Sequence, residues 1–196
     1  MATNNNKSGK LFVISAPSGA GKTSLIKEVI KRLNNQYDIS RVITYTNRSP
    51  RENETEGKDY YFLNSAEFDK RFKNNFFLET NVYNGKYYGS STNILTDLEM
   101  NKILIAITDI NGAKSLNQAV PKAILIWITA PNMEELKRRL LSRGNMSNTQ
   151  IEKRMQIAQE ETKEAHKSRL FKFNVVNDVF EQTIAELIKI LKKETE

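Results

Sequence analysis

The chain has 196 residues, enough for one ordinary domain with a substantial core and too few for two. It contains no cysteine and one histidine, His166, which excludes disulfide frameworks, cysteine zinc sites, thiol catalysis and metal catalysis by histidine clusters. Hydrophobic residues make up 39% and charged residues 27%, as in soluble globular proteins, and the net charge of +7 is concentrated in residues 1–43, where seven Lys/Arg face two Asp/Glu.

The first predicted elements are a strand, a glycine-containing loop and a helix. Leu11–Ser15 is a short apolar run of strand character, and Ala16–Thr23 follows it directly. An amphipathic helix is then expected to extend to about Asn34. It is predicted because apolar residues recur at helical spacing, at Leu25, Ile26, Val29, Ile30 and Leu33.

Residues 44–91 are predicted to form a small insert whose strands make a mixed or antiparallel sheet. The stretch from Asn47 to Asp59 is polar and irregular, so we expect a long loop of the kind that usually binds a ligand. Asn84-Gly85 predicts a hairpin turn, because both central residues of such a turn take positive φ. The other expected elements are extended segments at Arg41–Tyr45, Tyr60–Leu63, Phe76–Tyr83 and Lys86–Tyr88, and a short helix that is capped by Ser65 and reaches about Phe72.

The second half of the chain alternates strands with helices. Ile103–Ile107 and Ala123–Ile128 are almost entirely apolar, which is typical of strands covered on both faces. A last short strand is expected at Phe173–Val176. Helices are expected at about 92–100, 112–118, 133–143, 149–167 and 179–193, with His166 a partly exposed helix residue. These patterns predict an α/β fold in which helices sandwich a parallel sheet.

Ala16–Thr23 (Ala-Pro-Ser-Gly-Ala-Gly-Lys-Thr) matches the phosphate-binding pattern G-x-x-x-x-G-K-[ST] except at its first position. In such a loop the backbone N–H groups and the positive end of the following helix bind phosphate oxygens. Lys22 would contact the β- and γ-phosphates, and the Thr23 hydroxyl would ligate Mg²⁺. Ala16 can replace glycine only if its φ is negative. The sequence therefore predicts a site for a nucleoside triphosphate with Mg²⁺; the alternative is a tight turn with a solvent-facing lysine.

Two arginines in the polar loop suggest a second phosphate site. Arg48 and Arg51 are three residues apart and could hold one phosphate dianion, with the hydroxyls of Tyr60 and Tyr88 completing its shell. Taken alone, solvated arginines and tyrosines that pack in strands are the commoner explanation of this pattern.

The order of motifs along the chain resembles the guanylate kinase family. That family carries S-[AG]-P-S-G-x-G-K-[ST], T-x-R-x-P-R-x-x-E-x-x-G-x-x-Y, F-[IL]-E, Y-Y-G, D-x-x-G, R-L-x-x-R-G and V-N-D. The corresponding segments are Ser15–Thr23, Thr46–Tyr60, Phe77–Glu79, Tyr87–Gly89, Asp109–Gly112, Arg139–Gly144 and Val176–Asp178. The phosphate loop occurs in many families, whereas the joint order of R-x-P-R and Y-Y-G is specific.

The resemblance implies a P-loop kinase that transfers the γ-phosphoryl group of MgATP to GMP, and also to dGMP, in purine metabolism. It implies a single domain with a core at about 9–43, 92–131 and 168–196, a GMP-binding insert at 44–91 and a helical lid at 132–167. The implied ATP-binding residues are Ala16, Pro17, Ser18, Gly19, Ala20, Gly21, Lys22, Thr23 and Asn177. The implied GMP-binding residues are Thr44, Arg48, Arg51, Tyr60, Glu79, Tyr88, Ser90 and Asp109.

The resemblance also implies how the reaction proceeds. The nucleophile is a phosphate oxygen of GMP that is already anionic, so no general base is needed and catalysis consists of alignment and charge neutralisation. The implied catalytic cations are Lys22, Arg48, Arg139, Arg143 and Arg154. Without the resemblance, the last three would be expected on a solvated helix face.

The chain departs from the family pattern at four positions. Ile107 replaces the first Asp of a usual D-x-D, which predicts a metal site with one carboxylate fewer and slower turnover. Asn47 replaces a usual Thr, Asn53 a usual Gly and Thr44 a usual Ser. None of these changes removes a charge from the expected GMP phosphate site.

Three other functions compete with this one. A catalytically silent binding module of this family would typically lose the phosphate loop, which this chain keeps. A kinase for another nucleoside monophosphate is disfavoured by Glu79 and Ser90, and a nucleic-acid binder by the position of the positive charge around one loop. Membrane attachment is not expected, because no apolar run approaches about 20 residues and Met1–Lys10 lacks an apolar signal core. We therefore expect a cytoplasmic enzyme, either monomer or homodimer, whose partners are the nucleotides.

Overall fold

The computed structural model describes residues 9–142 and 147–196. Its central sheet has five parallel strands in the order β2-β7-β1-β8-β9, which confirms the predicted α/β class. The strands of this sheet are β1 (Lys10–Ser15), β2 (Ile39–Arg41), β7 (Ile103–Thr108), β8 (Ile124–Thr129) and β9 (Phe173–Val176). The helices are α1 (Lys22–Leu33), α2 (Ser65–Lys73), α3 (Asn93–Glu99), α4 (Ile110–Ala119), α5 (Met133–Leu141), α6 (Asn148–Ser168) and α7 (Phe180–Thr195).

Helices cover both faces of the central sheet. On β1, Phe12 and Ile14 point into a core shared with α1 and α7, while Leu11 and Val13 point into a second core shared with α4. Each large side chain that is fully removed from water contributes roughly 2–3 kcal/mol of hydrophobic free energy. The continuous apolar runs of the sequence therefore arise because successive residues of one strand enter different cores.

A second sheet carries the insert, in the order β4-β3-β6-β5. Its strands are β3 (Tyr45–Thr46), β4 (Tyr61–Phe62), β5 (Phe77–Tyr83) and β6 (Lys86–Ser91). Of the two predicted kinds of insert sheet, the mixed one is confirmed: β3 and β4 run parallel, with the residues between them crossing over, whereas β6 is antiparallel to β3 and to β5. Asn84 and Gly85 have φ of 50° and 71°, which confirms the predicted hairpin turn.

The start of α2 differs from the prediction in its cap. Asn64, rather than Ser65, is the N-cap: its side chain accepts from the Glu67 backbone N–H at 2.8 Å, and the Glu67 carboxylate accepts from the Asn64 N–H at 3.1 Å. Two donors of the first turn are satisfied reciprocally in this way, so Ser65 is left as the first helical residue.

The insert packs closely on the core where β5 meets α4. A Cβ on Gly112 would lie 2.4 Å from Asn81 Nδ2 and 1.9 Å from Thr108 Oγ1, so only glycine permits this approach. The contact places the inner face of β5 beside the end of β7, where the chain passes into α4. Within the described residues, no helix is both long and apolar enough to cross a membrane.

Candidate active site

The loop between β1 and α1 has the backbone shape of an anion site. Gly19 and Gly21 have φ of 96° and 91°, a region that other residues rarely adopt, and Gly21 is the N-cap of α1. The φ of Ala16 is not positive, so alanine can replace the glycine of the pattern at this position. Lys22 Nζ donates to the Ala16 carbonyl at 2.6 Å, which holds the ammonium group over its own loop.

A cavity of about 250 Å³ lies between this loop and the insert. Most of the predicted site residues line it: Ala16, Pro17, Ser18, Gly19, Gly21, Lys22, Thr23, Thr44, Arg48, Arg51, Tyr60, Glu79, Tyr88, Asp109 and Arg154. Ala20 and Ser90 are buried and are not part of the lining. Arg139 and Asn177 are outside the lining, and Arg143 lies outside the described residues.

Glu79 is a buried carboxylate on the insert side of the cavity. The register of β5 and β6 sets it opposite Ser90, whose hydroxyl donates to Glu79 Oε1 at 2.7 Å. Glu79 Oε2 is buried and has no hydrogen-bond partner in the described part of the chain. Burial raises the pKa of Glu79 to about 7, the Ser90 hydrogen bond opposes this rise, and the charge of Asp109 adds to it. The carboxylate therefore lacks the donors that would stabilise its charge, and a ligand with N–H groups can supply them.

The two loop arginines are organised by a third residue, Glu54. Its Oε1 accepts from Arg48 Nη2 at 2.8 Å, and its Oε2 accepts from the Arg51 backbone N–H at 2.8 Å. Burial disfavours the Glu54 charge, but these hydrogen bonds prevail and lower its pKa. The Arg51 side chain is 61% exposed, whereas that of Arg48 is 14% exposed, so one arginine is fixed and the other extends into water.

Tyrosine rings support the fixed arginine. The guanidinium carbon of Arg48 lies 5.2 Å from the centre of the Tyr60 ring, a cation–π distance. Tyr60 and Tyr88 meet edge to face with their centroids 6.0 Å apart. The four residues predicted to bind one phosphate thus form a contiguous group, with Arg51 at its outer edge.

Asp109 is the N-cap of α4 and accepts from the Gly112 backbone N–H at 2.9 Å. Burial raises its pKa, while backbone hydrogen bonds from the helix end and the nearby Lys22 lower it. One of its oxygens is therefore occupied by the helix end, and its place in the cavity wall is fixed by α4. Thr44, also in the wall, is held by the Tyr61 N–H, which donates to its carbonyl at 2.9 Å.

Two arginines of α5 and α6 are linked to the phosphate loop. Arg154 Nη1 donates to Ser18 Oγ at 2.8 Å. Arg139 Nη2 donates to the Asn177 carbonyl at 2.9 Å, and Asn177 Nδ2 donates to the Ala20 carbonyl at 2.8 Å. The structure thus connects both helices to the loop, α6 directly and α5 through the segment after β9.

Several lining or supporting residues were not predicted from sequence, and three of them, Glu54, Asn81 and Glu161, carry polar groups that bear on the chemistry of the site. Glu54 lies within the R-x-P-R-x-x-E motif, and its position three residues after Arg51 was the available signal. Asn81 lies two residues from Glu79 on β5, hence on the same face, and its Oδ1 is buried without a partner in the described chain. Glu161 lies seven residues after Arg154, which puts both on one face of α6, and it too lines the cavity.

The oxygen donors of the cavity fit Mg²⁺ that is bound together with a nucleotide. Mg²⁺ usually takes one or two protein oxygens and completes its shell with water and substrate phosphates. Thr23 offers a hydroxyl at the start of α1, and a buried Glu161 oxygen lacks a partner in the described chain. Among the described residues there is no group of three Asp, Glu, His or Cys side chains that could hold a metal ion.

Comparison with known proteins points to one family. A family model described as guanylate kinase matches residues 8–194. A guanylate kinase of Thermus thermophilus is 37% identical over 187 residues, covering 95% of this chain and 82% of the relative. That of Geobacter metallireducens is 37% identical over 189 residues, covering 96% and 90%. The crystal structure of guanylate kinase from Anaplasma phagocytophilum superposes with a TM-score of 0.76 at 25% identity, covering 96% of this chain and 87% of that one.

Proposed function

The chain belongs to the guanylate kinase family, and we propose that its cavity transfers the γ-phosphoryl group of MgATP to GMP, giving ADP and GDP. The observation that carries this proposal is the shared cavity: the phosphate loop lines one side and the insert residues Arg48, Tyr88 and Glu79 line the other. Two phosphate-binding groups that face each other across one space can bring a donor and an acceptor end to end.

Guanine is read by Glu79 in this proposal. Guanine presents its N1–H and N2–H₂ donors side by side, and one carboxylate can accept from both. Oε1 of Glu79 accepts a hydrogen bond from the Ser90 hydroxyl, and Oε2 has no hydrogen-bond partner in the described chain. The N–H groups of guanine would therefore supply the donors that stabilise the carboxylate. Adenine has an acceptor at N1 and no 2-amino group, and a site built around such hydrogen bonds can reject an analogue by on the order of 10⁴-fold. Thr44 and Asp109 complete the base pocket.

The GMP phosphate is bound by Arg48, Arg51, Tyr60 and Tyr88. Arg48 is already placed by Glu54 and by the Tyr60 ring, so little side-chain entropy is lost when the phosphate arrives. Arg51 is exposed and moves inward on binding, and Glu54 holds its backbone during that movement.

ATP is bound by the loop residues 16–23. In the ligand-free protein the Lys22 ammonium group donates to the Ala16 carbonyl, and in the ATP complex it donates to the ATP phosphates instead. Thr23 ligates the Mg²⁺ that neutralises the phosphate charge. Asn177 lies next to the loop and to Arg139, at the position proposed for the adenine end of the site.

Transfer needs no general base, because the attacking oxygen of GMP is already anionic. The chain contributes alignment and positive charge through Lys22, Arg48 and the α5–α6 arginines, Arg139, Arg143 and Arg154. We treat residues 132–167 as a lid that brings these arginines inward and excludes water, which would otherwise accept the phosphoryl group. Residues 44–91 form the acceptor insert, and the rest is the core.

Further features of the proposal follow from the substrates. ATP and GMP are the partners, the enzyme is cytoplasmic, where both nucleotides are found, and it also accepts dGMP. Nucleic acid and membranes take no part. The slower turnover that the sequence predicts for a site with Ile107 in place of an aspartate remains a prediction.

A coupled assay of ADP formation with GMP, AMP, CMP and UMP tests the proposal. We expect turnover with GMP and less than about a thousandth of its kcat/KM with the other three, by the hydrogen-bond argument above. No turnover with any of them would indicate a silent binding module, and preference for another base would show that Glu79 does not read guanine.

A further inference from the structure

Helix α6 presents two ionisable side chains to the cavity, Arg154 and Glu161. They are seven residues apart, so they lie on the same face about two turns from each other. Arg154 contacts Ser18 of the phosphate loop at 2.8 Å, which fixes where this face of the helix sits. Glu161 also lines the cavity, and its charge interacts with those of Asp109, after the end of β7, and of Tyr83, in the hairpin of the insert.

Glu161 is buried, whereas the neighbouring glutamates of α6 are exposed. It is 8% exposed, and its Oε2 has no hydrogen-bond partner in the described part of the chain. Glu160 and Glu164, by contrast, are exposed and bonded at the surface, the first to Gln156 at 3.3 Å and the second to Lys114. Burying a carboxylate oxygen without a donor is unfavourable, so its retention here points to a ligand that supplies the donor.

The charges that face Glu161 come from several elements. Burial raises the pKa of Glu161 to about 7; the charge of Lys22 in the phosphate loop opposes this rise, and the charges of Asp109 at the β7–α4 junction and Glu164 on the same helix add to it. The charge of Glu161 in turn raises the pKa of Tyr83 on β5. The other two carboxylates that line the cavity each have a defined internal bond: Glu79 with Ser90, and Asp109 with the first turn of α4. Since Glu79 is assigned to guanine and Asp109 caps α4, Glu161, whose charge interacts with that of Lys22, is the lining carboxylate that we assign to a cation near the phosphate loop.

We propose that Glu161 binds the hydrated Mg²⁺ of the ATP complex by accepting hydrogen bonds from its water ligands. This rests on the function proposed above and adds a residue of α6 to the metal site. Mg²⁺ keeps several of its waters in proteins, and a carboxylate that lines the same cavity as Thr23 can accept from those waters without displacing the nucleotide phosphates.

The test measures metal binding rather than turnover. Mn²⁺ is titrated into the protein with GMP and the non-hydrolysable β,γ-imido analogue of ATP, and free Mn²⁺ is followed by electron paramagnetic resonance. Outer ligands of a metal site commonly contribute roughly 10- to 100-fold to its affinity. We expect Glu161→Gln to weaken Mn²⁺ binding by about tenfold or more on that basis, and the matched exposed variant Glu160→Gln to bind Mn²⁺ like the wild type.

Two further measurements separate the metal from other roles. In EDTA, the affinity of Glu161→Gln for the ATP analogue should equal that of the wild type, and urea unfolding should show that the variant is folded. Unchanged Mn²⁺ affinity, or a loss of analogue affinity that is equally large in EDTA, would overturn the proposal. Failure of the wild type to bind the analogue and GMP at all would instead contradict the proposed function.

Discussion

Substituting Glu79 by glutamine tests whether the buried charge of this residue serves to bind GMP and lowers the free energy of unfolding of the ligand-free protein. Without GMP, the carboxylate is 8% exposed, accepts one hydrogen bond from the Ser90 hydroxyl and has an unpartnered second oxygen within the described chain. Glutamine has nearly the same shape, carries no charge and can still accept from Ser90. It therefore removes the charge while leaving the packing in place.

The sign and size of the effect follow from the pKa of Glu79. Burial raises this pKa from its ordinary value of 4.5 to about 7, so the folded protein binds the proton more tightly than the unfolded chain does. The stability contributed by the protonated group is complete below pH 4.5 and is lost as the pH rises through 7. The change in pKa corresponds to roughly 3 kcal/mol. We expect Glu79→Gln to exceed the wild type in free energy of unfolding by up to about this amount at pH ~8, and by less than about 1 kcal/mol at pH ~5.

Urea unfolding of both proteins between these two pH values, with and without GMP, measures these quantities. GMP should stabilise the wild type and leave Glu79→Gln almost unchanged, because the variant offers one acceptor oxygen and an N–H₂ group that opposes the guanine donors. The exposed variant Glu160→Gln serves as the control for charge alone. A variant that is less stable than the wild type at the alkaline end, or a difference that does not change with pH, would refute the reasoning.

Three other substitutions address the remaining parts of the site. Lys22→Ala should lower kcat by on the order of 10²–10³-fold, because it removes a positive group at the transferred phosphate; near-normal turnover in a steady-state assay would contradict the loop assignment. Arg51→Ala should raise the KM for GMP by roughly 10- to 100-fold, the usual value of a charged hydrogen bond, and should leave the KM for ATP unchanged; an equal rise in both would mark a general structural role. Ile107→Asp adds a carboxylate to the cavity wall and should tighten Mn²⁺ binding in the nucleotide complex by roughly tenfold, and equal affinity in the two proteins would show that this wall does not face the metal.

The sequence was informative wherever one local pattern determines the structure. The phosphate loop, the parallel strands and the Asn84-Gly85 turn each depend on residues that are adjacent along the chain, and the structure has them where they were expected. The parallel pairing of β3 with β4 could not be read in this way. Those strands have two residues each, and their direction is set by how the intervening loop crosses the sheet.

The supporting carboxylates were missed for a different reason. Glu54 and Glu161 look like ordinary surface residues in sequence, since each stands among other charged side chains. Glu54 gains its role from a loop that folds back on Arg48, and Glu161 from a helix face that the contact between Arg154 and Ser18 directs inward. Burial of a charge is a property of the tertiary arrangement, and periodicity alone does not reveal it.

The bond between Asn177 and the Ala20 carbonyl joins residues that are 157 positions apart, and β1 itself lies between β7 and β8. A growing polypeptide on the ribosome therefore carries the whole phosphate-binding motif long before the neighbours that shape it have been made. A translation product that stops before β9 has the motif but lacks the contact that fixes it. The nucleotide pocket is thus complete only after synthesis has passed the last strand, although the phosphate-binding motif lies near the start of the chain.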